Sequence, residues 1–249
     1  MSFFSGKHVV ITGASTGIGR ATAGCVIAGG GKVTLIARRA ELLVQVCAEL
    51  GEGAFAHVAD VGDKAELVAA LDAAIAHHGD IDGLFLNAAS GGTFTSICDY
   101  PEDSFEHVLT VNLRSQFWAV QHILPAMIAR GSGSIVLTGS LASARGMAGN
   151  AAYVVAKHGV LGLARAVAAE VAASGLRCNC LLPGFIDTPM LDILPDEGRA
   201  AMAARTPQGR IGSAAECAKV AAFLLSDDAS HVTGQSWAVD GGLLGTLML

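Results

Sequence analysis

Short apolar runs rich in β-branched residues alternate along the chain with longer stretches in which Ala, Leu and Val recur at helical spacing among polar residues. A brief run of consecutive apolar positions marks a strand buried on both faces, and a longer spaced pattern marks an amphipathic helix. The pattern predicts strands over His8–Thr12, Lys32–Ala37, Ala54–Ala59, Gly83–Asn87, Ser134–Thr138, Arg177–Leu182 and Ser236–Val239. It predicts helices over Thr16–Gly29, Ala40–Leu50, Lys64–His78, Ala151–Ser174 and Ser213–Leu225, with one or two more in Glu102–Arg130, broken or bent near Pro125. Such alternation is the signature of an α/β fold: a doubly wound parallel sheet of about seven strands with helices on both faces. No linker, repeat or second composition regime interrupts it, so 1–249 is expected to form a single domain. The exception to the alternation is 184–212, where Pro189, Pro195 and Pro207 stand among Met190, Leu191, Ile193, Leu194 and Met202. A long loop carrying apolar residues is expected to shape a substrate site.

Composition agrees with this reading. Apolar residues make up 52% of the 249 positions and charged residues 15%, as strands covered on both faces require. A net charge of −6 argues against a nucleic-acid surface. The six cysteines include no CxxC pair, which disfavours a redox-cysteine enzyme. Cys178 and Cys180 share one strand face and are expected to be small core side chains. No metal site is expected, because the eight histidines form no HExxH; His77 and His78 fall at a helix C-terminus, where the dipole favours them. No apolar stretch reaches 18 residues, and no charged segment followed by a long apolar one opens the chain, so neither a membrane span nor a signal peptide is expected. The expected location is cytoplasmic.

The first strand runs directly into Thr12-Gly13-Ala14-Ser15-Thr16-Gly17-Ile18-Gly19. A strand that turns at once into a helix presents free N–H groups and a positive dipole end to a pyrophosphate, and glycine lets phosphate and helix approach closely. The spacing Thr-Gly-xxx-Gly-x-Gly differs from the usual GxGxxG and resembles the short-chain dehydrogenase/reductase family, whose fold is Rossmann-like.

The second strand ends at Ala37, where an NAD-binding fold carries a carboxylate for the ribose 2′-hydroxyl. Arg38 and Arg39 follow instead. A guanidinium binds a 2′-phosphate by forked, charge-assisted hydrogen bonds, so NADP(H) is expected ahead of NAD(H), with Arg38 favoured as the contact. Two solvated arginines at a strand end are the alternative. Asp60-Val61 ends the third strand; the resemblance implies that Asp60 meets the adenine, although it can equally cap the helix starting near Lys64.

Tyr153-Val154-Val155-Ala156-Lys157 puts a phenol and an ammonium four residues apart, on one helix face. A nearby cation favours the phenolate and lowers the phenol's pKa from near 10. Tyr153 can then give a proton to a developing alkoxide or take one from an alcohol. Ser140 lies just past the fifth strand, thirteen residues earlier, placed to hydrogen-bond the substrate oxygen, with Ser143 a rival. Asn112 stands in a helical run, either as an amide bridging backbone groups or, as the resemblance implies, holding a water that connects Lys157 to solvent. The resemblance also implies cofactor contacts from Asn87, Ala88, Pro183, Gly184, Ile186 and Thr188, and extends to Val239-Asp240-Gly241-Gly242. In Leu86-Asn87-Ala88-Ala89 the chain departs from the common Asn-Asn-Ala-Gly. The Ala89 methyl can crowd the ribose or exclude a left-handed backbone, which Gly91 and Gly92 can offset.

Together these motifs predict an NADP(H)-dependent oxidoreductase that interconverts a carbonyl compound and its alcohol. The alternatives are a 3-oxoacyl thioester reductase and a non-catalytic NADP(H)-binding regulatory protein. Substrate walls are expected at Leu141–Asn150, Gly92–Cys98 and 186–209, mostly apolar or small, suiting a neutral, partly apolar carbonyl compound. Arg145 is left between binding an anionic group and lying in solvent. No nucleic-acid or membrane partner is expected, and the resemblance implies a homotetramer or homodimer through the helix Ala156–Ala173.

Overall fold

The computed structural model describes residues 3–192 and 194–246; Ile193, one of the apolar residues of the long loop, lies outside the described residues. The chain runs β1 (His8–Thr12), α1 (Gly17–Ala28), β2 (Lys32–Ala37), α2 (Ala40–Leu50), β3 (Ala54–Val58), α3 (Lys64–His78) and β4 (Gly83–Leu86). It continues through α4 (Glu102–Leu109), α5 (Ser115–Arg130), β5 (Gly133–Thr138), α6 (Ala151–Val171) and β6 (Leu176–Pro183). It ends with β7 (Ile186–Asp187), α7 (Asp196–Arg205), β8 (Gly212–Ser213), α8 (Ala214–Leu225) and β9 (Ser236–Val239). Seven strands form one parallel sheet in the order β3-β2-β1-β4-β5-β6-β9, and β7 pairs with β8 beside it.

The two-residue period of a strand sorts the core into two layers. Ile36, Leu84, Ile135, Leu137 and Leu182 face one way, into a cluster with Leu71, Met127 and Val160 of α3, α5 and α6. Their neighbours Leu35, Phe85, Val136 and Leu181 face the other way, against Val26, Leu43 and Leu224 of α1, α2 and α8. Each such Leu, Ile or Phe removed from water contributes about 1.5–3 kcal/mol, so the sheet is stabilised from both sides. Cys178 and Cys180 are fully buried in the first layer, as their spacing predicts.

Two regions differ from the sequence expectation. The helical run after β4 is interrupted not at Pro125, which lies inside α5, but at a π turn over Thr110–Arg114. The segment expected to be irregular contains a helix, α7, entered through Pro195, with Asp196 and Glu197 in its first turn and Arg205 in its last. Those charges complement the helix dipole.

Strand order reverses between β1 and β4, and the C-terminal ends of β1, β4, β5 and β6 converge on the crevice opened there.

Candidate active site

The glycine turn joins β1 to α1. Gly13 has φ 66°, and a Cβ there would lie 2.8 Å from the Ala88 Cα. Gly17 has φ 56°, and a Cβ there would lie 3.1 Å from the Thr188 side chain. The turn therefore needs glycine both for its left-handed backbone and for the close approach of its neighbours. It forms a cradle between Asn87-Ala88 and Thr188 at the N-terminus of α1, fitting a pyrophosphate. Thr12 closes the cradle floor: its hydroxyl accepts from the Asn87 and Ala88 N–H groups at 3.0 and 3.1 Å. Ile18 packs into the core under the turn, and Gly19 is buried in α1.

The two arginines divide. Arg39 lies on the glycine turn, donating to the Ser15 hydroxyl at 3.0 Å and the Thr16 hydroxyl at 2.9 Å. Arg38 is exposed and stands 3.7 Å from Asp60. The cap of α3 is Asp63, which accepts from Ala65 and Glu66; Asp60 instead accepts from the Gly62 N–H. Val61 is buried behind it. Past β6, Pro183 and Gly184 lead to a buried Ile186, whose carbonyl accepts from the Thr188 hydroxyl at 3.4 Å.

Tyr153 and Lys157 lie on α6, with the Lys157 Nζ 5.5 Å from the centre of the Tyr153 ring. Lys157 is 1% exposed, and its ammonium donates to the Thr138 carbonyl at 2.7 Å. Burial lowers its pKa to about 8. The phenol behaves differently from the sequence argument, in which the ammonium lowers its pKa. Burial raises it, and the effect that pulls the other way is a hydrogen bond with the Ser140 hydroxyl. The ammonium is turned to Thr138, over the ring face rather than at the phenol oxygen.

The two serines differ in their partners. Ser143 is buried, donating to the Lys157 carbonyl at 2.7 Å and accepting from the Ser140 N–H at 3.1 Å. It ties the loop after β5 to α6. The Ser140 hydroxyl accepts from the Ala142 N–H at 3.2 Å and lies beside Tyr153.

Asn112, on the π turn, is fully buried. Its amide exchanges two hydrogen bonds with the backbone of Ser90, at 2.7 and 2.9 Å, so its side chain bridges backbone groups. Asn150, which the sequence reading used only as a loop boundary, is a hub. Its Oδ1 accepts from the Tyr153 N–H and the Tyr100 hydroxyl, and its Nδ2 donates to the Gly91 carbonyl. An Asn immediately before a long helical pattern is the cap signal that reveals it.

The chain's likeness to known proteins follows this geometry. The family model described as enoyl-(acyl carrier protein) reductase matches residues 13–244. The 3-oxoacyl-(acyl-carrier-protein) reductase of Salmonella typhimurium is 35% identical over 96% of this chain and 98% of its own. The chain belongs to the short-chain dehydrogenase/reductase family. Cyclohexanol dehydrogenase of an Acinetobacter species is 37% identical, over 96% of this chain and 95% of its own. The crystal structure of levodione reductase superposes with a TM-score of 0.92 at 37% identity, covering 96% of this chain and 98% of the other. This short-chain dehydrogenase/reductase is thus an oxidoreductase of the CH–OH/C=O class.

Three loops of the dehydrogenase/reductase, after β4, before α6 and after β7, carry exposed apolar residues. The loop after β4 is stitched to the one before α6 by the Thr95 N–H to Gly149 carbonyl bond of 2.8 Å. Phe94, Ile97, Met147 and, after β7, Met190 are exposed on them. Arg145 reaches the Leu244 carbonyl at 3.2 Å, joining the loop before α6 to the C-terminal turn. A cavity of about 320 Å³ is lined by Phe185, Ile186, Arg210, Glu216 and Asp240. No described helix is long and apolar enough to cross a membrane.

Proposed function

We propose that the protein is an NADP(H)-dependent reductase/dehydrogenase of neutral, partly apolar ketones and their alcohols, with Tyr153 as the general acid/base. The observation that carries the reading is the convergence of Tyr153, Ser140 and Lys157 at one end of the crevice, with the glycine cradle at the other. Arg38 and Arg39 favour NADP(H), since both lie at the end of β2 beside the glycine turn and neither is a carboxylate. Arg38 reaches outward for the 2′-phosphate while Arg39 holds the turn. Asp60 would meet the adenine, and Pro183, Gly184, Ile186 and Thr188 would hold the nicotinamide end.

The bound cofactor supplies or accepts the hydride at the substrate carbon. Ser140 and Tyr153 both donate hydrogen bonds to the carbonyl oxygen, which orients the carbonyl and draws off its developing charge. Tyr153 then gives its proton to that oxygen. Lys157, held at Thr138, stabilises the phenolate left behind, and Asn112 supports the path by which a proton returns. The raised pKa of Tyr153 keeps the phenol protonated at neutral pH, the form that reduction requires. The exposed apolar rim of Phe94, Ile97, Met147 and Met190 suits a substrate without charge next to its carbonyl. Exposed Phe117 on α5 and Val155 on α6 support assembly as a homotetramer or homodimer.

The test is fluorescence titration with NADPH and NADH, followed by turnover of ketones, quinones and 3-oxoacyl thioesters. Tyr153→Phe should bind NADPH as the parent does and lose about 10²–10⁴ in kcat. Retention of most of the rate overturns the mechanism, and binding without turnover of any compound moves the reading to a regulatory protein.

A further inference from the structure

At the N-terminal ends of the strands, opposite the crevice, four aromatic rings meet that the chemistry leaves unused. His8 opens β1, Phe55 lies in β3, and His77 and His78 close α3. The His78 ring stands edge-on to His8 and to His77, with centroids 5.1 and 4.5 Å apart. His77 in turn stacks on Phe55 at 4.0 Å, with the ring planes 12° apart. The rings thus join the last turn of α3 to two strands of the sheet.

The polar contacts suit neutral imidazoles. His8 is 2% exposed. Its Nδ1 lies 3.0 Å from the Gly79 carbonyl, which only accepts, so Nδ1 carries the hydrogen. Its Nε2 then accepts from the buried Thr34 hydroxyl at 2.9 Å. The Nε2 of His78 is buried with no partner. An imidazolium carries a hydrogen on both nitrogens. On His8 the second hydrogen forces the Thr34 hydroxyl to reverse, and on His78 it leaves an N–H with nothing to receive it. Two charged rings 5.1 Å apart also repel. The dipole at the end of α3 favours a cation, but burial outweighs it. Burial lowers the pKa of both rings, that of His78 to about 4, and the neighbouring His8 and His77 push His78 the same way.

The surrounding charges come from every element packed here. Asp82, on the loop after α3, accepts from the His8 N–H at 2.8 Å and favours protonation of His8. Asp80 on that loop is paired with Arg130 at 3.4 Å. Lys32 of β2 opposes a charge on either ring. His57 of β3 lies beyond Phe55, with centroids 6.5 Å apart.

We propose that these rings form an acid-sensitive latch: neutral, they fasten the last turn of α3 to β1 and β3, and protonated, they release that turn while the rest of the sheet stays folded. A histidine in the unfolded chain takes up its proton near pH 6.5 and the folded His78 near 4. The latch therefore holds fully above 6.5 and is lost as pH falls from there toward 4.

The test compares the full-length parent with His78→Phe and His78→Gln, neither of which titrates. Amide exchange is followed by mass spectrometry at pH 7.5 and pH 5, corrected for the intrinsic rate at each pH. In the parent, segment 72–82 should exchange about tenfold faster at pH 5 while α8 is unchanged. Between pH 7.5 and 4.5 the parent's Tm should fall by roughly 5 °C more than that of either variant. Equal acceleration in 72–82 and α8 shows global loosening and overturns the latch. So does a Tm that falls in parallel in all three proteins. Should neither variant fold, the imidazole proton signals of the parent decide: His78 titrating below 5 together with the amide signals of 74–80 supports the latch, and His78 titrating near 6.5 overturns it.

Discussion

The Lys157 ammonium donates to the Thr138 carbonyl at 2.7 Å, so the last residue of the strand that leads to Ser140 also holds the cation of the helix that carries Tyr153. Burial of this ammonium lowers its pKa to about 8. The protonated form is the one that supports phenolate, and it is lost as pH rises through that value. For reduction, kcat/KM should therefore be level near pH 7 and fall above about 8. Lys157→Arg, which does not titrate in this range, should lose the descending limb at a lower overall rate. A profile that stays flat to high pH in the parent counts against Lys157 as the titrating group.

The Arg39 guanidinium bonds Ser15 and Thr16, and the exposed Arg38 stands 3.7 Å from Asp60. Removing either charge should weaken NADPH far more than NADH. Loss of a charge-assisted bond of about 1.5–3 kcal/mol corresponds to roughly 10–100-fold in Kd. Paired titrations of Arg38→Ala and Arg39→Ala decide the matter: equal loss for both nucleotides shows that the arginines shape the turn without reading the phosphate.

Asn150 fastens the first turn of α6 to Tyr100 and to the loop after β4. Asn150→Ala removes a helix cap of about 1 kcal/mol and strands the Gly91 carbonyl and Tyr100 hydroxyl, at about 1–3 kcal/mol each if buried. At roughly 2–4 °C per kcal/mol for a chain of this size, the Tm should fall by several degrees. The kcat should fall with it, because Tyr153 loses its register. Asn150→Asp restores both acceptor contacts but not the donor to Gly91, so it should recover part of both losses. An Asn150→Ala variant with the parent's Tm places the anchoring of α6 elsewhere.

Ala89 replaces a glycine that relatives in the family commonly carry, yet no described residue other than glycine has positive φ. The left-handed strain that the substitution raises as an expectation is therefore absent, and Gly92 holds the left-handed position, with φ 70°. Ala89→Gly should leave NADPH affinity within about twofold and lower stability by roughly 0.5–1 kcal/mol through backbone entropy. A large gain in affinity on calorimetric titration indicates that the methyl crowds the ribose.

The strands were legible because each is a short, largely apolar run whose neighbours turn on Gly, Asp or Ser, and both layers of the core follow from alternation alone. Tyr153 and Lys157 were legible because helical spacing puts them on one face, and Ser140 because it follows a strand end. What escaped depends on contacts between distant segments. Thr12 reads as one more strand residue until Asn87 and Ala88 are brought beside it. The break at Asn112 was assigned to Pro125 because proline is the visible helix breaker, whereas the π turn is marked only by the Ser90 and Gln116 contacts that satisfy it. Helix α7 was hidden by Gly198 and a short apolar face, although Asp196, Glu197 and Arg205 marked its ends.

The buried ammonium also sets a conflict between stability and catalysis. An amine whose folded pKa is about 8, against about 10.5 when exposed, is held charged at neutral pH at a cost of ~3 kcal/mol, about 1.4 per unit of displacement. The unfolded chain binds that proton more tightly, so the cost is full below pH 8 and is relieved as pH rises from 8 toward 10.5. Lys157→Met fills similar volume without the charge, and loses only the bond to Thr138. It should abolish turnover and raise the Tm at pH 7, with the gain shrinking as pH climbs past 9 because the parent sheds its penalty there. Thermal melts of the two proteins at pH 7 and above 9 measure this directly. A variant less stable than the parent at pH 7 means that the Thr138 bond outweighs the buried charge.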